Sequence, residues 1–336
     1  MRKCNSEESL AEVIEVLYNR STTCIVKCPI SGQSVVPPCG YIVVLGPPDC
    51  TFTPLYYKTV IGITRTARMM AMLLLWGLLA LTSSTSGQSW SQVEGNLTYV
   101  SVGGAGVWGV DAGNKIYYRE GTFLKPGELG TGWKNVEGSL KQLDVGANAV
   151  IGVNSNNQIW YRTGLSSSQQ AGTAWTQVDG SLKHVSLSPR GAIWGVNSAN
   201  QIWMRTGISK DKPAGTGWQS VEGSLTQISV GPSGVWGVNS NDDIWFRGGT
   251  YGGEANKVGT GWTNIPGKLI HITSGSTEVL GVNRQNEVWR RTGISESNPT
   301  GTGWQKLSGA LTMIEQFARV MLGVNSAGNI WRAPIS

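Results

Sequence analysis

Few residues in this chain are of types that do chemistry, and their spacing points away from catalysis. The two histidines, His184 and His271, occupy the same place in two copies of one phrase, Leu-x-His-Val and Leu-x-His-Ile. Other copies carry Tyr99, Gln142, Gln227 and Met313 there, so the pair reads as variants of a repeat rather than an acid and its base. Carboxylates recur singly, at Glu94, Glu137, Asp179 and Glu222. Glycoside hydrolysis needs two carboxyl groups held together, so isolated acids suit binding better than bond cleavage. No serine elbow or Gly-rich phosphate loop is present, and an enzyme is not expected. Cys24-x3-Cys28 has ligand-like spacing, but no second pair with His follows it, so no metal is assigned. Asp111 and Asp242-Asp243 offer turn oxygens to calcium without a calcium-loop motif, and no cofactor is identified.

The elements that position these residues are repeats. The phrase Trp218-Gln-Ser-Val-Glu-Gly-Ser-Leu-Thr-Gln-Ile-Ser-Val-Gly-Pro-Ser-Gly-Val-Trp-Gly-Val-Asn239 recurs from Trp90, Trp133, Trp175, Trp218, Trp262 and Trp304, at intervals of 43, 42, 43, 44 and 42 residues. A fixed period in the low forties marks a repeat architecture. In the copy from Trp133, short runs over 133–136, 140–145, 149–153 and 158–162 are separated by Gly- and Asn-rich turns. Runs of that length, bounded in that way and without helical period, predict four antiparallel strands per unit, the size of a propeller blade.

Six units predict an all-β, six-bladed β-propeller of four-stranded blades. The first Trp column and the third (Tyr117, Trp160, Trp203, Trp245, Trp289, Trp331) read chiefly as packing between blades. A middle column mixes Trp108, Trp194 and Trp236 with Ile151, Leu280 and Leu322, and is the less uniform. The repeat begins with an outer strand at Trp90 and stops after Trp331-Arg332, so strand 90–93 is expected to pair with 330–332 and close the ring.

Residues 1–68 stand outside the repeat and hold all five cysteines; they read as an unstructured upstream extension with at most a short amphipathic helix over 7–17. Residues 69–86 follow two arginines with an apolar run of about eleven residues and then small polar ones, the pattern of a secretory signal peptide. The run is shorter than the roughly 20 residues a membrane span needs. Translation starting at Met69, Met70 or Met72 would account for a signal at this position, leaving 87–336 as a secreted propeller. Asn96-Leu-Thr98 is a glycosylation sequon. The net charge of +6 is spread without a basic stripe, so nucleic acid is not an expected partner.

The pattern Trp-x-x-Val-x-Gly-x-Leu-x-x-Ile-Ser-Val-Gly-x-x-Gly-Val-Trp-Gly-Val-Asn-x-x-x-x-Ile-Trp-x-Arg resembles the tectonin repeat over about 90–332, most closely the fish-egg lectins and the tachylectin-1 type. The resemblance implies a secreted carbohydrate-binding propeller that recognises N-acetylglucosamine- or galactose-type sugars, bacterial surface glycans such as lipopolysaccharide, or glycoproteins, in egg or innate defence. A protein-binding scaffold is the alternative, and homo-oligomers are compatible with either. In an up-and-down blade the acid turn and the Asn turn fall at one end. Asp111, Asn154, Asn197, Asn239, Glu137, Asp179 and Glu222 are therefore the candidate sugar ligands, with any glycan on Asn96 beside Glu94. Plain turn chemistry is the competing account of the Asn column. The Arg column (Arg119, Arg162, Arg205, Arg247, Arg291) is placed towards the opposite end, in packing or ion pairs. Two units depart from the pattern: Pro266 replaces an acid, and Ala333 replaces an Arg.

Overall fold

The computed structural model describes residues 88–335. The extension, its short helix, the cysteines and the signal segment lie outside the described residues. Twenty-four strands form six four-stranded antiparallel sheets. Blade one holds β2 (Tyr99–Gly103), β3 (Gly106–Val110), β4 (Ile116–Arg119) and β5 (Trp133–Val136); blade two holds β6 (Gln142–Val145), β7 (Val150–Val153), β8 (Ile159–Thr163) and β9 (Ala174–Val178). Blade three holds β10 (His184–Leu187), β11 (Ile193–Val196), β12 (Ile202–Thr206) and β13 (Gly217–Val221); blade four holds β14 (Gln227–Gly231), β15 (Gly234–Val238), β16 (Asp243–Arg247) and β17 (Trp262–Lys268). Blade five holds β18 (His271–Ser274), β19 (Val279–Val282), β20 (Glu287–Thr292) and β21 (Gly303–Ala310). Blade six takes β22 (Met313–Phe317), β23 (Val320–Val324) and β24 (Asn329–Pro334) from the C-terminal end, and β1 (Ser91–Asn96) from the other. The six-bladed propeller expected from the repeat is the observed fold.

Ring closure also follows the expected register. Ser91 faces Arg332, Gln92 faces Trp331 and Val93 faces Ile330. A strand borrowed from the far end of the chain turns β24 from an edge into an interior strand, and an unpaired edge is what invites intermolecular pairing.

The core lies between blades, in six apolar clusters that each join one sheet to the next. The first and third Trp columns pack against these clusters as expected, but they are not the deepest part of them. The mixed middle column is the deepest: Trp108, Trp194 and Trp236 are fully buried, as are Ile151 and Leu280. The first and third Trp columns are only partly buried at every position. The middle column sits on the second strand of each blade, covered on both sides, so any large apolar side chain serves there. The uniform columns sit towards the outer edge, where the indole N–H needs a partner. Trp133 Nε1 donates to Glu94 O at 2.7 Å, and Trp175, Trp218, Trp262, Trp304 and Trp90 donate likewise to Glu137, Asp179, Glu222, Pro266 and Ser308 carbonyls. Uniformity of the first column reflects a hydrogen bond as well as volume. The glycine after each carbonyl residue lets the ring approach: Gly309 has φ +108, and a Cβ on it would lie 2.8 Å from Trp90 Nε1.

Candidate functional site

The acid column is not free. Glu137 pairs with Nη1 of Arg162, whose side chain is 2% exposed while the carboxylate is 63% exposed. Arg162 Nε donates to Ala171 O at 2.7 Å, and its guanidinium lies 5.2 Å from the Trp175 ring centre. The same clasp joins Glu94 to Arg119 and Trp133, Asp179 to Arg205 (2.7 Å) and Trp218, and Glu222 to Arg247 and Trp262. The expected separation of Arg and acid at opposite ends is therefore wrong. Twist accumulates from the inner to the outer strand of each sheet, and it swings the end of one blade's outer strand onto the third strand of the next. The hydrogen bond from arginine holds Glu94, Glu137 and Glu222 below the ordinary carboxylate range. Where Pro266 replaces the acid, Arg291 still stacks on Trp304 at 5.5 Å.

The Asn column builds turns. Asn154 Oδ1 accepts from the backbone N–H of Asn156 (3.0 Å) and Gln158 (2.9 Å), while its Nδ2 donates to Gln158 Oε1. Asn197 and Asn239 repeat this pattern, and Asp111 accepts from Gly113 and Lys115. The left-handed residue lies three positions further on, at Asn114, Asn157, Asn200, Asp242 and Asn286. Its carbonyl accepts from the next blade's leucine N–H: Asn157 O from Leu182 at 2.9 Å, Asn200 O from Leu225 at 3.0 Å. The acid turn and the Asn turn do meet at one end of the blades, as expected, and these bonds join them.

The junction of blades three and four shows what that end presents. Gly223, Ser224, Asn239, Trp245 and Trp262 line a cleft of about 130 Å³, next to Glu222. Two half-buried indoles and a turn amide thus share one surface, on a framework that recurs around the ring. Asn96 is exposed at the matching place in the ring and donates to Ala327 O at 2.8 Å.

The Tectonin domain pattern matches residues 68–129 and 126–326. The chain belongs to the tectonin family. No curated protein matches it. Solved structures similar to the tectonin chain include human WBSCR16 (9% identity, 69% of this chain and 68% of that one, TM-score 0.40). YCF48 from Cyanidioschyzon merolae matches at 13% identity, covering 74% and 83%, with a TM-score of 0.44. Yeast RCC1, solved with Kap60, matches at 10% identity, covering 73% and 69%, with a TM-score of 0.42.

On the axis of the tectonin propeller lies a cluster that sequence reasoning missed. Tyr99 Oη lies 3.4 Å from His184 Nε2, 3.2 Å from His271 Nε2 and 3.1 Å from Glu315 Oε1, and Thr273 donates to Glu315 Oε2 at 2.7 Å. Asp144 accepts from Ser101 and Ser186 hydroxyls at 2.8 Å. Burial and His271 hold His184 at about 3, and burial holds His271 at about 4. Burial, then the Asp144 charge, pushes Glu315 well above the carboxylate range. The variants in this column have structural roles: Gln142 and Gln227 each clamp the next inner strand through both amide atoms, on Val185 and Ile272. Alternation within the inner strands, read once per repeat, was the signal that these positions converge on an axis. The adjoining cavity, about 40 Å³ and flanked by Asp144 and Glu315, has room for water rather than substrate. Among the described residues no group of three or more His, Cys, Asp or Glu could hold a metal ion, and no helix is long and apolar enough to cross a membrane.

Proposed function

We propose that this tectonin propeller is a secreted, non-catalytic lectin for N-acetylglucosamine- or galactose-type sugars and for bacterial surface glycans such as lipopolysaccharide, acting in egg or innate defence. The observation that carries the reading is the cleft in which Asn239 lies beside the half-buried rings of Trp245 and Trp262. An indole face stacks on the C–H face of a pyranose, and a turn amide with an adjacent exposed carboxylate such as Glu222 offers hydrogen bonds to hydroxyl and acetamido groups. Asp111, Asn154 and Asn197, with Glu137 and Asp179, hold equivalent places in other blades. Secretion rests on the signal pattern at 69–86, and glycosylation on the exposed Asn96. A glycan array followed by saturation-transfer NMR on the indole protons tests the reading: N-acetylglucosamine is expected to touch Trp245, and Trp245→Ala should weaken that contact at least fivefold.

A second reading, a scaffold for a protein partner, is favoured by one feature. Leu124 and Leu129, on the segment between β4 and β5, are 59% and 53% exposed. Binding to no glycan or bacterial surface, with a partner recovered by pull-down that is lost on Leu124→Ser/Leu129→Ser, would favour it.

A further inference from the structure

A larger groove than the indole cleft lies elsewhere, at the opposite end of blades two and three from the acid and Asn turns. It measures about 620 Å³, in the range that holds small ligands. Leu165 and Ile208 supply apolar walls, and Tyr161, Arg190 and Lys210 supply the polar groups. Tyr161 is 7% exposed, yet its hydroxyl has no hydrogen-bond partner among the described residues. The equivalent Tyr118 shows that the orphan is specific. Its hydroxyl donates to Gln170 Oε1 at 2.9 Å and accepts from Phe123 N–H. Gln170 comes from the next blade's loop, eight residues past Arg162; eight residues past Arg205, the same place holds Pro213, which has no side-chain acceptor and lines the groove. Tyr161 is buried as a residue, but its hydroxyl is not among the fully buried atoms left without a partner, so it opens onto the groove and can meet a ligand there.

Charge narrows the occupant. No carboxylate lines the groove. Lys210 forms no ion pair among the described residues, and Arg190 meets Glu254 at 3.3 Å at the rim, where both are more than half exposed. Such a surface pair is weak and yields to a better-placed anion.

We propose that this groove binds an anionic monosaccharide unit, with Tyr161 Oη hydrogen-bonded to a sugar hydroxyl, Leu165 and Ile208 against the ring, and Arg190 and Lys210 on the acidic substituent. The proposal rests on the carbohydrate reading above and adds a second, chemically different site to it. The substituent could be a carboxylate, a phosphate or a sulfate, so the test uses all three. Calorimetry with monovalent glucuronate, glucose 6-phosphate and N-acetylglucosamine 6-sulfate, against neutral N-acetylglucosamine, is run on wild type, Arg190→Ala/Lys210→Ala and Tyr161→Phe. At least one acidic sugar is expected to bind tenfold or more tighter than the neutral one and to lose that margin in the double variant. Tyr161→Phe, which keeps the ring packing, should weaken it threefold or more. Acidic sugars binding equally to all three proteins would overturn the groove assignment and leave the lectin reading standing. Neutral sugar binding alone would do the same. No binding of any of these sugars, together with no binding on the glycan array, would remove both.

Discussion

At the scale of single residues, the arginine of each clasp matters more than its acid. Arg247 is almost fully buried, bonds Val258 O at 2.9 Å and stacks 5.4 Å from the Trp262 centre, while Glu222 stays 65% exposed. Arg247→Ala is expected to cost about 2–4 kcal/mol by leaving carbonyls unpaired and a ring uncovered. Glu222→Gln should cost less than about 1 kcal/mol, because an exposed partner contributes little; guanidinium titrations of both variants check the order. The axial histidines set a pH dependence. Their folded pKa values, about 3 and about 4, lie below the ordinary 6.5, so unfolding takes up protons in that interval. Their contribution is complete above pH 6.5 and falls as pH drops through the window. Glu315 and Asp144, raised chiefly by burial, act in the opposite sense: their contribution is complete at low pH and fades as pH rises through their raised values. Lys141 and Lys183 sit close enough to add to the depression of His184. Replacing both histidines with Gln, the residue of the same column in blades two and four, should flatten the fall in denaturation midpoint between pH 6.5 and 4. A slope equal to wild type would show that other groups set it.

At the scale of strands and turns, β1 is the element on which the sheet of blade six depends. Removing residues 88–96 should lower the melting temperature by about 10 °C or more, since it exposes β24 and uncovers the cluster around Val93 and Leu97; calorimetry of the shortened protein reads this directly. That closure was legible in the sequence because it needs only the phase of the repeat relative to its two ends. The turns were legible as turns, and the structure locates their left-handed residue three places beyond the marked Asn. What could not be read were contacts that depend on how far a sheet twists. Spacing places Arg162 and Glu137 at opposite ends of the blades, since the strands they end run antiparallel; only the rotation of the outer strand lays one over the other. Nor does spacing show that His184 and His271, 87 positions apart by number, face the same tyrosine. Tyr118 and Tyr161 look equivalent in the sequence, and only the path of Gln170 from the neighbouring loop separates them.

At the scale of the whole ring, six near-copies of one framework predict avidity rather than strong single-site affinity. A polymeric glycan should bind at least about 100-fold tighter than its monosaccharide if several clefts engage together, and surface plasmon resonance on immobilised polymer against free sugar measures the ratio. The borrowed strand has a further consequence, for the order in which the protein is made. Of the described strands β1 leaves the ribosome first, but its partner β24 comes some 240 residues later, with Gln92 opposite Trp331. At ordinary elongation rates that is a wait of roughly 10–50 s. Throughout it, the first strand is an open template beside each incomplete blade that follows. The charges along β1 are few, so its protection during synthesis falls to Glu94, which can already clasp Arg119 once the first blade has folded. That clasp, with the Trp133 indole N–H on the Glu94 carbonyl beside it, is the earliest tether available to the loose end.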